Sequence, residues 1–77
     1  MFSVWQWFDN GSREHVLQHV PAEEAVRCAS NLTLSVGAQI GTTVRVIIVD
    51  ALDCTNFEWE FGKGVVYPPE LSNEATL

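Results

Sequence analysis

The chain has 77 residues, of which 47% are hydrophobic, ten are acidic and four are basic, so its net charge is −6. A chain this short forms one domain, and its hydrophobic content excludes a disordered protein. The charge argues against direct binding to nucleic acid, because Lys and Arg supply most of that affinity by neutralising phosphates. It also argues against an anionic membrane surface and favours a partner with a basic surface.

The first ten residues, MFSVWQWFDN, predict a cytoplasmic protein. They lack the basic segment that opens a secretory signal, and they reach an acidic residue at Asp9. No run of the sequence approaches the ~18 apolar residues needed to span a membrane. In the cytoplasm of a bacterial cell or a phage-infected host, we expect Cys28 and Cys54 to remain reduced.

A β-hairpin is predicted from residues 2–8 and 12–20. Asn10-Gly11 is a strong signal for a two-residue type I′ turn, in which both central residues have positive φ. Such a turn fixes the register, and the predicted cross-strand pairs are Trp5 with Val16, Trp7 with Glu14, and Val4 with Leu17.

A single helix is predicted from Pro21 to Gly41. Proline suits the first position of a helix, and Glu23 and Glu24 suit the positive end of its dipole. Glycine is a common residue just past the end of a helix. Apolar residues spaced by three and four predict one buried stripe, which consists of Ala22, Ala25, Ala29, Leu32, Val36 and Ile40.

Two further strands are predicted after the helix. Residues 42–50 include an apolar run on both faces, which is typical of a central strand. Residues 57–61 alternate, with Phe57, Trp59 and Phe61 on one face and Glu58 and Glu60 on the other. Residues 65–67 extend this strand or add a short edge strand, which the following prolines end.

The order ββαββ(β) predicts a two-layer α+β fold, with one helix packed on a mostly antiparallel four- to five-stranded sheet. The predicted domain covers residues 1–69, and residues 70–77 are expected to form a frayed tail. One helix covers one sheet face, so we expect Trp5 and Trp7 to lie on the opposite, open face. Exposed apolar patches with a polar rim are typical of interaction surfaces.

No pattern in the chain predicts a catalytic, cofactor or metal site. His15, His19, Cys28 and Cys54 are candidate zinc ligands, but they lack the spacing of known zinc motifs, which favours structural roles. Asp50 and Asp53 are more typical of a turn in which carboxylates cap backbone N–H groups than of a metal pair. A two-layer domain of this size seldom builds an enclosed pocket, so we expect no enzymatic activity.

The favoured interpretation is a small acidic protein that binds a basic partner protein. In size, acidity and lack of catalytic motifs, the chain resembles the small phage-encoded inhibitors known as anti-CRISPR proteins. The resemblance implies a Cas protein as the partner, with its DNA-binding surface blocked. Glu58 and Glu60 would stand ~6.6 Å apart along a strand, close to the spacing of phosphates. The predicted partner-binding residues are Trp5, Trp7, Glu14, Asp50, Asp53, Glu58 and Glu60.

Two alternatives remain open from the sequence. The aromatic face could instead be buried between two copies of the chain, because a domain this small gains stability from association. Sheets with exposed aromatic residues can also stack nucleic-acid bases, although the scarcity of Lys and Arg counts against this alternative.

Overall fold

Five antiparallel strands form one sheet, and the main helix lies across one of its faces. The computed structural model describes residues 1–68, and the strands have the spatial order β2-β1-β3-β4-β5. This arrangement confirms the predicted two-layer α+β class. The predicted tail, residues 70–77, lies outside the described residues. The strands are β1 (Phe2–Phe8), β2 (Arg13–Val20), β3 (Thr43–Asp50), β4 (Thr55–Glu60) and β5 (Gly64–Tyr67).

The turn between β1 and β2 contains three residues, so the predicted two-residue turn is wrong. The Phe8 N–H donates to the Ser12 carbonyl oxygen at 2.8 Å, and the Gly11 N–H donates to the Phe8 carbonyl oxygen at 3.0 Å. Gly11 has φ +88°, as in a type I turn that ends in a glycine bulge. The hairpin signal was correct, but the extra loop residue shifts the strand pairing.

The shifted pairing changes the neighbours of both tryptophans. Trp5 lies opposite His15 and Trp7 opposite Arg13, so the predicted partners Val16 and Glu14 are wrong. Val16 of β2 is then an extra, bulged residue opposite Val4 and Trp5, and this bulge restores the predicted pair of Val4 with Leu17.

The predicted helix is divided into α1 (Ala22–Thr33) and α2 (Val36–Ile40). Ser35 has an extended backbone with ψ 161°, and its Oγ accepts a hydrogen bond from the Ala38 N–H. A serine in this position caps the start of a new helix. The same Oγ donates to the Leu32 carbonyl oxygen at 2.6 Å, so Ser35 also binds the last turn of α1.

The division changes which apolar residues are buried. Val36 and Ile40 belong to the predicted stripe, yet they are 72% and 70% exposed. Ala38 is buried instead, because the new cap rotates α2 relative to α1. The predicted stripe therefore applies only to α1, where Ala25 and Ala29 are buried.

The core lies between α1 and the central strands. Its buried members are Val4, Ala25, Ala29, Val46 and Ile48. Alanines on the helix let its backbone approach the sheet closely, while β-branched residues fill the sheet side.

Three polar side chains form a short hydrogen-bonded chain at one end of the core. Thr43 Oγ1 donates to Gln6 Oε1 at 3.3 Å, and Gln6 Nε2 donates to Glu14 Oε1 at 2.6 Å. Gln6 and Thr43 are both buried, so these bonds satisfy polar groups that would otherwise destabilise the fold. Within residues 1–68, no helix is long and apolar enough to cross a membrane.

Candidate functional site

The sheet face opposite α1 carries both tryptophans, as predicted. Side chains alternate between the two faces of a strand, so the cross-strand pairs define which residues share this open face. One row across the sheet contains Arg13, Trp7, Arg45 and Glu60. The neighbouring row contains His15, Trp5, Ile47, Glu58 and Tyr67.

Trp5 contacts two residues of β2, His15 and Arg13. The His15 ring stacks on Trp5 with centroids 4.1 Å apart and planes 5° apart. The guanidinium carbon of Arg13 lies 5.1 Å from the Trp5 centroid, within the range of a cation–π contact. Trp7 lies beside Trp5 at 6.3 Å in a tilted arrangement, which is a favoured geometry for aromatic pairs. The two indoles therefore form one half-buried aromatic cluster.

Arg45 joins this aromatic cluster to the acidic side chains of β4. Its guanidinium carbon lies 5.0 Å from the Trp7 centroid, and its Nε donates to Glu58 Oε2 at 2.9 Å. The Glu58 side chain is only 19% exposed. Glu60 lies 3.9 Å from the ammonium group of Lys63. The predicted pair of carboxylates is thus present, but both members have cationic neighbours.

Two aliphatic residues of β3 form the floor of the open face. Ile47 lies opposite Trp5, and Val49 follows two residues later on the same side. Their exposures are 8% and 9%, close to those of the core under α1. Buried aliphatic side chains beside half-buried aromatic rings resemble the centre of a protein interface, where apolar atoms are enriched.

The structure brings together four of the seven predicted partner-binding residues, namely Trp5, Trp7, Glu58 and Glu60. Glu14 lies on the helix side of the sheet, because it pairs with Gln6. Asp50 and Asp53 lie at the turn between β3 and β4.

The β3–β4 turn matches the predicted capping role of Asp50. Its Oδ1 accepts hydrogen bonds from the Leu52 N–H at 2.8 Å and the Cys54 N–H at 3.1 Å. The bond from Cys54, followed by that from Leu52, lowers the pKa of Asp50 below its ordinary value, because both donors stabilise the charged form. The turn interpretation of this segment is confirmed.

Three basic residues of the open face were missed from the sequence. Arg13 and His15 join the face through the three-residue turn, and Arg45 joins it from β3. The sequence did indicate the position of Arg45, because it is two residues from Ile47 and alternate residues of a strand share a face. For Arg13 and His15, the signal was that Asn10-Gly11 also fits a three-residue turn with glycine last.

The negative charge is unevenly distributed between the two sides of the sheet. On the open face, Arg13 and Arg45 balance Glu58 and Glu60. The excess carboxylates of residues 1–68 lie on the helix side and in the turns, at Asp9, Glu14, Glu23, Glu24, Asp50 and Asp53. The open face is therefore aromatic and balanced in charge, and the helix side is acidic.

The cysteines and histidines lie in different surroundings. Cys28 packs against the core, and burial raises the pKa of its thiol, whereas Cys54 is exposed in the β3–β4 turn. In the part of the chain that the structure describes, no three His, Cys, Asp or Glu side chains lie together as metal ligands would.

The fold and this face together define a two-layer α+β domain with an aromatic, charge-balanced sheet face that α1 leaves uncovered. No protein-family model, curated protein or solved structure matches the chain. Its function is therefore inferred from the site.

Proposed function

We propose that the chain is a non-enzymatic protein-binding module, and that the open face of its sheet is the partner-binding surface. The observation that supports this proposal is the cluster of Trp5 and Trp7 beside the buried floor of Ile47 and Val49. Tryptophan is strongly enriched among the residues that dominate binding energy at protein interfaces.

The charged residues of the open face indicate which chemical groups a partner presents to it. Glu58 and Glu60 already have Arg45 and Lys63 beside them and can also accept hydrogen bonds from basic groups of the partner. Arg13, at the other side of the tryptophans, can pair with an acidic or carbonyl-rich group. Beyond the face itself, the net charge of −6 accelerates the encounter with a basic protein.

The narrowest form of the proposal is an inhibitor that acts in the cytoplasm by occupying a basic, nucleic-acid-binding surface, such as that of a CRISPR-Cas effector. It is supported by the chain's size and acidity. In this form, the module competes with nucleic acid for one surface of its partner. Added DNA is then expected to displace the module from the partner.

The experiment is affinity capture of basic proteins from host lysate after nuclease treatment, followed by binding measurements with the purified partner. The variant Trp5→Ala/Trp7→Ala is expected to weaken binding by at least ~100-fold, since each such anchor contributes about 2 kcal/mol or more. Val36→Ala, an exposed position on α2, is the matched control and retains binding. Equal binding of all three proteins would contradict the proposal.

A homodimer is the second candidate, and the charge pattern of the face favours it. Arg13 lies toward one edge of the sheet, while Glu58 and Glu60 lie toward the other. If two sheets stack about an axis parallel to their strands, the basic side of each lies over the acidic side of the other. Light scattering over a range of protein concentrations tests this candidate, and a monomer throughout that range would exclude it.

A further inference from the structure

The turn between β1 and β2 contains an asparagine that is followed directly by glycine. Asn10 and Gly11 are both exposed, and a Cβ added to Gly11 would meet no atom within 4 Å. Glycine has no side chain to hinder the approach of other atoms to its backbone nitrogen. The Gly11 nitrogen is therefore open to attack on Cγ, the side-chain carbonyl carbon of Asn10.

Ser12 places two hydrogen-bond donors on the side-chain oxygen of Asn10. The Ser12 N–H donates to Asn10 Oδ1 at 2.9 Å, and the Ser12 hydroxyl donates to the same atom at 2.6 Å. Attack on Cγ would turn this oxygen into an oxyanion, and donors that already point at a developing oxyanion lower the barrier. The Gly11 N–H donates to the Phe8 carbonyl oxygen at 3.0 Å, and this bond opens when the nitrogen reacts.

From these contacts, we propose that Asn10 is a site of spontaneous deamidation in the folded protein and that Ser12 promotes the reaction. The Gly11 nitrogen attacks Asn10 Cγ, so that a new C–N bond forms and the bond from Cγ to Nδ2 breaks. The proton of the Gly11 N–H leaves with Nδ2 as ammonia, and a cyclic succinimide remains. Water then opens this ring at Cγ to give aspartate, or at the main-chain carbonyl to give isoaspartate.

Isoaspartate at this position changes the open face, because the register of the hairpin depends on the length of the turn. In isoaspartate the main chain runs through Cβ and Cγ, which lengthens the three-residue turn by one carbon atom. The pairs of Trp5 with His15 and of Trp7 with Arg13 depend on that length. We expect the stack of His15 on Trp5 to be lost in the isoaspartate form. The consequence for partner binding rests on the proposed function, whereas the reaction itself does not.

The experiment incubates the full isotope-labelled chain in mildly alkaline buffer and follows it by peptide mass spectrometry and NMR. We expect Asn10 to gain the mass difference between a hydroxyl and an amino group, with isoaspartate as one of its two products. Asn31 and Asn56 are internal controls, because they lie in α1 and β4 and precede leucine and phenylalanine. Both controls are expected to react at least ~10-fold more slowly than Asn10.

Variants at two positions test the contribution of the turn. Ser12→Ala removes the hydroxyl donor and is expected to slow the reaction about 3-fold, since an exposed hydrogen bond contributes modestly. Ser12→Thr keeps the hydroxyl and should react at the rate of the parent chain. In urea, the parent chain and Ser12→Ala should react equally, because unfolding separates Ser12 from Asn10. Asn10→Asp adds the charge without lengthening the main chain, and it should retain the nuclear Overhauser contacts between His15 and Trp5.

Three results would overturn the proposal. Modification of Asn10 no faster than that of Asn31 and Asn56 would remove the site. A reaction in folded Ser12→Ala that is as fast as in the parent chain, or faster, would remove the role of Ser12. Contacts between His15 and Trp5 that persist in the isoaspartate form would remove the effect on the open face. None of these measurements involves a partner, so their failure is distinguishable from failure of the proposed function.

Discussion

Alanine substitutions at Val46 and Val49 measure how completely other side chains cover each face of the sheet. Both lie in β3, and their exposures are 0% and 9%, but Val46 faces α1 whereas Val49 faces the open side. Replacing either with alanine removes two methyl groups in the same strand, so the loss of β-propensity cancels between the variants. The difference in their free energies of unfolding therefore reports the cover on each face.

The expected magnitudes follow from the surroundings of each valine. The lost transfer energy is about 1.6 kcal/mol at either position. Val46 lies in the closed core, where a cavity remains, so Val46→Ala is expected to cost about 2.5 kcal/mol. Val49 has Ser3 and Thr55 as cross-strand neighbours and no described helix above it. Val49→Ala is therefore expected to cost about 1.5 kcal/mol.

Urea unfolding at neutral pH, followed by circular dichroism, measures both variants against the parent chain. The measurement is made at two protein concentrations ~10-fold apart, because burial in a dimer makes apparent stability depend on concentration. A cost for Val49→Ala equal to that for Val46→Ala, at both concentrations, would refute the view that the face is uncovered. A cost that rises with concentration would instead favour the homodimer.

Three further predictions concern the turns and the polar chain. Gly62→Ala is expected to lower the free energy of unfolding by about 1 kcal/mol, because Gly62 has φ +84° with open space around it. Gly41→Ala is expected to lower it by about 2 kcal/mol, because its added Cβ would also lie 3.2 Å from the Phe61 ring. Urea unfolding compares the two variants, and equal losses of stability would contradict the contact with Phe61. Glu14→Ala is expected to lower the free energy of unfolding by about 1 to 2 kcal/mol, because it removes the acceptor of the buried Gln6 amide. Glu23→Ala is the control and should lower it by less in the same urea assay. For Asp50, the folded pKa is lowered, so its stabilising effect is present above the unfolded pKa of ~3.9 and is lost as pH falls through the folded pKa. The stability difference between the parent chain and Asp50→Asn should therefore shrink in acid, and a difference independent of pH would contradict this assignment.

The sequence was most informative where one pattern had one structural outcome. The alternation of Phe57, Glu58 and Trp59 defined the faces of β4, and the apolar run of β3 identified a central strand. The placement of Trp5 and Trp7 opposite the helix followed from the same alternation. These features depend on the two-residue period of a strand, which tertiary packing does not change.

Prediction failed where two local structures fit the same residues. Asn10-Gly11 suits both a two-residue and a three-residue turn, and the difference of one residue replaced Glu14 by Arg13 and His15 beside the tryptophans. Ser35 suits both a helix interior and a cap, and the cap exposed Val36. The charge of the open face could not be predicted because it depended on that register.

The charge balance of the open face predicts how binding there depends on salt. On the open face, Arg13 and Arg45 balance Glu58 and Glu60, and Arg45 is already paired with Glu58. Binding there depends mainly on the aromatic cluster and should change little with ionic strength. Exposed charges are screened beyond ~8 Å at physiological salt, so affinity that falls steeply with salt would place binding on the acidic helix side of the chain. Affinity that is lost in Trp5→Ala/Trp7→Ala but changes little with salt would assign binding to the open face.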